Sequence, residues 1–283
     1  MRREFIGNCC FLHGMRGIVL LRSLLPRLRR IALLSLSIMS FVISSEAISQ
    51  VPHPKFRIIA IAEAGGIHKP FVDAAKVWLA KESVEDGFTV DYIENTDKID
   101  KVFLSRYQLL IQLNYPPYGW KPAAVEAFQD YIEQGRGGWI GFHHATLLGE
   151  FDGYPMWPWF SDFMGKIRYT QYIPTFASGR VNVEDPSHPV MKGLSSTFEI
   201  KDEEWYTYDK SPRPNVHVLA SVDENTYAPD SKIKMGDHPV VWTNEHVKAR
   251  NVYIFMGHRP EHFQNPAFTE LFHNAILWAA GQS

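Results

Sequence analysis

The residues best placed to do chemistry are histidines that follow apolar runs, and the clearest is in Gly141-Phe142-His143-His144-Ala145. A Gly-x-His-x-Ala string at a strand end resembles a nucleophile elbow. Such a turn holds one side chain strained and exposed, and small residues two before and two after leave room for it. Hydrolases put Ser or Cys at the centre, whereas His143 stands there in this chain. An imidazole titrates near neutral pH and can serve as acid, base or metal ligand. A histidine packed against Trp or Phe at a strand end would give the same string, so the pattern alone leaves both readings open. His144 should face the opposite side from His143 if strand alternation persists, in a supporting position.

Other candidates fall at comparable places. His258 follows Gly257 after the apolar run 251–256, and Arg259 is beside it. Glu63 and His68 flank the Gly-rich loop Gly65-Gly66, where a solvated surface His is the alternative. Glu203, in Asp202-Glu203-Glu204, is a general base, a metal ligand or part of a solvated charge run. His143 can exchange a proton next to a carbonyl with His258 or Glu203 as partner. A divalent metal such as zinc, held by His68, His143 and His258 with Glu203, is the other reading. The spacing contains no compact ligand motif, and no other cofactor is implied. His188, between Ser187 and Pro189, is expected to cap a turn.

Two aromatic clusters, 114–120 and 154–160, follow candidate strands. Asn114, Tyr115, Tyr118 and Trp157 from these clusters are candidate substrate contacts, because aromatic faces with polar tips suit sugar rings. The same loops could form a hydrophobic lid or a contact in a homo-oligomer. Binding without catalysis is the competing function, although binding alone does not call for several titratable histidines in one cleft.

The elements that must position these residues read as α/β. Arg57 to Ala62, Phe88 to Ile93, Tyr107 to Leu113 and Gly138 to Phe142 are short apolar runs typical of buried parallel strands. Helical spacing predicts helices from Pro70 to about Lys81, and from Pro122 to Gln134. The alternation predicts a mostly parallel sheet with helices on both faces. After about residue 165, strands at 180–184, 198–201, 216–222, 239–243 and 251–256 predict an antiparallel extension. A helix from Pro266 to Ala280 closes the chain. Ligands in such sheets bind beyond the carboxyl ends of the strands, which is where the candidates fall.

The start of the chain reads as a targeting segment. Arg22, Arg27, Arg29 and Arg30 precede an apolar run, Ile31 to Ile43, and Ser45-Glu46-Ala47 matches a small-x-Ala cleavage site. The run is shorter than the roughly 20 residues that span a bilayer. Residues 1–47 are therefore expected to be a signal peptide, with an uncleaved anchor as the alternative. The fourteen residues before Met15 are unlike an n-region, which points to a translation start downstream of Met1. The expected mature chain, one domain over 48–283, is periplasmic or extracellular and has no stable membrane span. Cleavage removes Cys9 and Cys10, so no thiol nucleophile or disulfide remains. It also leaves 22 Lys+Arg against 29 Asp+Glu, because the segment holds seven of the 29 cations and two of the 31 acids. A net charge of −7 without a basic stripe excludes nucleic acid as a partner and leaves a small-molecule carbohydrate.

At this point the chain resembles the trehalose-utilisation (ThuA-like) family. The matching motifs are Gly141-Phe142-His143-His144-Ala145, the stretch Asp185-Pro186-Ser187-His188-Pro189-Val190-Met191-Lys192-Gly193-Leu194, Asp202-Glu203-Glu204-Trp205-Tyr206, and Met256-Gly257-His258-Arg259. The last is followed at the family's distance by Asn274-Ala275-Ile276-Leu277-Trp278-Ala279-Ala280-Gly281. The resemblance implies a flavodoxin-like, class I glutamine amidotransferase-like three-layer fold, with His in place of the nucleophilic Cys. It also implies a role in sugar metabolism, often beside oxidoreductases that make 3-keto-glycosides. Amidotransferase chemistry is excluded, since the elbow lacks a Cys. Where many members carry Gly-His-Gly-Arg, this chain has diverged to Lys248-Ala249-Arg250.

Overall fold

Each apolar run predicted as a parallel strand becomes one. The computed structural model describes residues 53–282, and the expected leader lies outside them. Strands β1 (Phe56–Ala62), β2 (Phe88–Ile93), β3 (Leu109–Leu113) and β4 (Gly138–Phe142) pair in parallel. All residues of β3 and β4 are buried, as a sheet covered on both faces requires. Strand β2 is half exposed and forms one edge.

Helices α1 (Lys69–Asp86), α2 (Lys101–Leu104), α3 (Pro122–Glu133), α4 (Pro158–Phe163) and α5 (Pro266–Ala279) cover the sheet. Phe142 packs against Phe71 of α1 and Phe268 and Phe272 of α5. Trp139, an odd number of residues away on β4, packs against Phe160 and Phe163 of α4. Odd spacing along a strand reverses the face, so α1 and α5 lie on one side and α4 on the other. Phe128 carries α3 to the α4 side by stacking on Phe160.

Strands β5 (Tyr169–Tyr172) and β8 (Tyr206–Tyr208) form a separate small sheet. Strands β6 (Ala177–Val183), β7 (Thr197–Glu203), β9 (His217–Ala228), β10 (Pro239–Thr243) and β11 (Asn251–Ile254) extend the main one. The order is β2-β1-β3-β4-β11-β10-β9-β6-β7.

Several boundaries differ from the sequence reading. Strand β11 runs parallel to β4 and so belongs to the parallel core, not to the antiparallel wing. A short apolar run carries no signal of direction. Helix α1 continues past Lys81 to Asp86, where Gly87 adopts φ 76° and ends it. Strand β9 extends past Val222, since β6 pairs with it as far as Ala228. Strand β3 begins at Leu109, two residues later than predicted, and α2 is a short helix the apolar spacing did not show. Its Asp100 cap accepts the Phe103 N–H at 2.6 Å. Among the described residues no helix is long and apolar enough to cross a membrane.

The antiparallel wing contains a buried acid with a structural role. Glu224 accepts the N–H groups of Met235 (2.6 Å) and Gly236 (2.7 Å) and pairs with His238 Nδ1 at 2.9 Å. Burial raises its pKa, but these hydrogen bonds outweigh that and hold the carboxyl below its ordinary 4.5. A depressed folded value means the stabilisation is present above the unfolded value and is lost as pH falls through the folded one. Glu224→Gln is therefore expected to lower stability at pH 7 by about 1–3 kcal/mol. The gap from the parent should narrow as pH falls below 4.5, and urea unfolding followed from pH 7 downward measures both effects.

Candidate functional site

The carboxyl ends of β1, β3, β4 and β11 deliver Glu63, Asn114, His143 and His258 to one edge of the sheet. Non-glycine residues with positive φ concentrate there. Asn114 (φ 53°) and His143 (φ 39°) directly follow β3 and β4, and Asp202 (φ 49°) lies near the end of β7. Backbone in this region costs about 1–3 kcal/mol per residue and persists where its surroundings impose it. At His143 the surroundings are explicit. Its carbonyl accepts hydrogen bonds from Thr146 Oγ1 (2.9 Å) and Tyr253 Oη (3.1 Å), and Tyr208 Oη donates to Thr146 Oγ1 at 2.9 Å. A Cβ on Gly257 would lie 2.5 Å from His143 Cβ, so only glycine fits opposite the elbow.

The left-handed residue also corrects the expectation for His144. The elbow breaks strand alternation, and the two imidazoles stack with centroids 5.4 Å apart, on the same side. His68 sits against both, with centroids 5.0 Å from His143 and 4.0 Å from His144, and 4.5 Å from His258. His68, His143, His258 and Glu204 are all buried, and each offers one ligand atom within 4.8 Å of the others. Glu204 Oε2 lies 3.4 Å from His143 Nε2 and 3.6 Å from His258 Nδ1.

The donor set matches a divalent cation on chemical grounds. Among the described residues nine buried side-chain N or O atoms have no hydrogen bond of ordinary geometry. Seven belong here, on Glu63, His68, Asn114, His143 and His258, including both ring nitrogens of His68 and of His143. Unpartnered buried polar atoms are costly unless something else satisfies them. Burial holds the His143 imidazole well below its ordinary pKa, against the raising effect of the Glu203 charge. Burial and three neighbouring imidazoles do the same to His68, and burial lowers His258. Neutral imidazoles are the form that binds metal.

Glu203 was the carboxylate expected in this set, and Glu204 occupies the position in its place. Strand β7 loses its alternation at Asp202, which is exposed, while Glu203 and Glu204 are both buried. Glu203 Oε2 pairs with His262 Nε2 at 2.7 Å and accepts the Gly257 N–H at 3.1 Å. Its Oε1 accepts the Glu204 N–H at 2.8 Å and stands 3.8 Å from His143 Nδ1. Burial raises its pKa, but the His262 hydrogen bond and the nearby imidazoles prevail and hold it at about 2. Glu203 is thus a standing charge that orients the loop carrying His258 and the ring of His143. Glu204, by contrast, is raised by burial. Sequence reasoning missed Glu204 and His262. The signals were present: an acid abutting Trp205-Tyr206, and a second His four residues after His258.

The remaining candidates lie further out. Glu63 Oε2 is 3.6 Å from His68 Nδ1 and 3.3 Å from His144 Nδ1. The buried Asn114 donates from Nδ2 to the Gly257 carbonyl at 2.6 Å. The two aromatic loops meet in one groove of about 290 Å³ that Tyr118, Trp120, Tyr154 and Trp157 help to line. Tyr118 Oη donates to Asp152 at 3.2 Å, and burial, Asp152 and the Glu63 charge push its pKa up to about 12. Tyr115 meets Trp120 edge-on, and Trp157 packs with Trp120, Phe128 and Phe160. Their ring contacts are therefore with the aromatic layer. Arg259 lies over the Phe176 ring at 4.4 Å and lines a cleft of about 610 Å³ beside His262. His188 accepts the Val190 N–H at 3.3 Å, the turn cap expected of it.

The ThuA family, described as trehalose utilisation, matches residues 57–279. A ThuA-like protein of Bacteroides uniformis is 32% identical, with 80% of this chain and 91% of that one covered and a TM-score of 0.70. A ThuA-like protein of Parabacteroides merdae is 20% identical over 80% and 90% of the two chains, with a TM-score of 0.55. A GMP synthase protein of Thermoplasma acidophilum shares 13% identity over 81% and 96%, with a TM-score of 0.53. That last likeness is one of fold, the glutamine amidotransferase-like one. No curated protein matches the sequence. From the first strand to the last turn of α5 the match is continuous, and this chain belongs to the ThuA family.

Proposed function

We propose that this protein is an enzyme that acts on a glycoside or keto-sugar at a divalent cation held by His68, His143, His258 and Glu204. The observation that carries the reading is the convergence of neutral, buried imidazoles whose nitrogens lack hydrogen-bond partners. A bound divalent cation such as zinc supplies Lewis acidity toward a sugar carbonyl or hydroxyl. The chain's own groups do the rest. The buried imidazoles keep their lone pairs for binding. Glu204 would bind as the carboxylate, since metal ligands are deprotonated. Lysis, hydrolysis, hydration and isomerisation of a keto-sugar all draw on a carbonyl or hydroxyl polarised in this way.

The approach is from the rim. The His143 side chain is 0% exposed, against 14% for His144 and 24% for Glu63. Substrate therefore enters past Glu63 and His144, toward Tyr118 and the aromatic groove. The ThuA description, trehalose utilisation, agrees with a carbohydrate. Export, inferred from the leader-like segment, would place the reaction outside the cytoplasm, and N-terminal sequencing of the native protein checks it.

The test is a turnover screen of 3-keto-glycosides and common disaccharides with metal-stripped protein and with the same protein reloaded with zinc. Turnover that chelation removes and zinc restores is the expected result. Sugar binding without turnover under either condition would identify a carbohydrate-binding module in its place.

A further inference from the structure

We propose that the site takes two divalent cations, the second held by Glu63, His144 and the Nδ1 edge of His68. This rests on the metal reading above and extends it to a position that reading does not use. Glu63, His68 and His144 form a second group whose ligand atoms lie within 4.8 Å of one another. His68 belongs to both groups, and an imidazole carries its two nitrogens on different edges. Nδ1 lies 3.6 Å from Glu63 Oε2, and on this proposal Nε2 serves the inner group. Both nitrogens are buried without a hydrogen-bond partner, as is Glu63 Oε2. A neutral imidazole needs a partner on each edge, and a single inner cation supplies only one.

The distances support ligand spacing. Two atoms bound to zinc at about 2.05 Å with tetrahedral angles lie about 3.4 Å apart. Hydrogen-bonded N and O atoms lie at about 2.7–3.2 Å. Glu63 Oε2 stands 3.6 Å from His68 Nδ1 and 3.3 Å from His144 Nδ1, in the first range and outside the second. The inner group shows the same spacing, 3.4 and 3.6 Å from Glu204 to His143 and His258. His144 Nδ1 also lies 3.1 Å from the Asn114 carbonyl, a hydrogen bond the outer cation must displace. The outer position is also partly open. It therefore binds more weakly than the inner one, and it faces the side from which a sugar arrives. Its role is to take oxygens of the substrate at the rim, beside the inner cation that polarises the carbonyl or hydroxyl.

The experiment is zinc titration of chelator-stripped full-length protein, followed by calorimetry and by metal analysis after desalting. Two ions per chain, bound in a tight and then a weaker step, are expected. Glu63→Gln and His144→Ala, both at partly exposed positions, should each lose the weaker step and keep the tight one. One ion in the parent protein, with the two variants unchanged, would overturn the second position and make Glu63 a positioning residue for His68. That outcome leaves the inner cation standing. No bound zinc at all would overturn the inner reading and this one together.

Discussion

Replacing His143 with alanine is expected to abolish turnover and release the inner cation while the protein stays folded. The substitution removes the ring nitrogens at the centre of the cluster, including the Nε2 that faces Glu204. Loss of a group that only supports a ligand typically costs 10–100-fold in metal affinity or activity. Loss of the ligand itself should exceed about 100-fold. Folding should survive, because the elbow backbone is held by hydrogen bonds to the His143 carbonyl, which alanine keeps. The lost ring contact with Tyr206, at 4.2 Å between centroids, will lower stability by a few kcal/mol at most, on the order of large-to-small core changes. Metal content, a melting curve and turnover on the active sugar, measured together, check this. Parental turnover in a folded variant would remove His143 from the mechanism.

Glu203→Ala should be the most destabilising single change near the site, by about 3–5 kcal/mol. The carboxylate is fully buried and answers His262 and the N–H groups of Gly257 and Glu204 at once. Deleting it strands those donors, and removing one partner of a buried pair is far costlier than losing a surface ion pair. Whole domains are stable by only about 5–15 kcal/mol, so the shift in denaturant midpoint should be large. His262→Ala should cost less, and the double variant should cost less than the two single changes added together. A change within about 0.5 kcal/mol, the size expected at a surface position, would contradict the anchoring role.

Strand β4 was readable to the residue, because a continuous apolar run between loop signals has one natural solution in a covered parallel sheet. The location of the site was readable as well, since ligands gather at the carboxyl ends of such strands. His68, His143 and His258 could be named from that rule. The direction of β11 could not, because a short apolar run looks alike whichever way the strand runs.

What the sequence by itself determined about this protein is its α/β class, its family and the edge at which three histidines gather. Only the tertiary structure decided which acid joins them and which way His144 turns. Both outcomes depend on left-handed backbone, at Asp202 and at His143. The packing around these residues imposes that conformation, and no local preference of Asp or His announces it. Asp202 brings Glu204 to the imidazoles and leaves Glu203 as their buried support, while His143 turns its neighbour back toward Glu63.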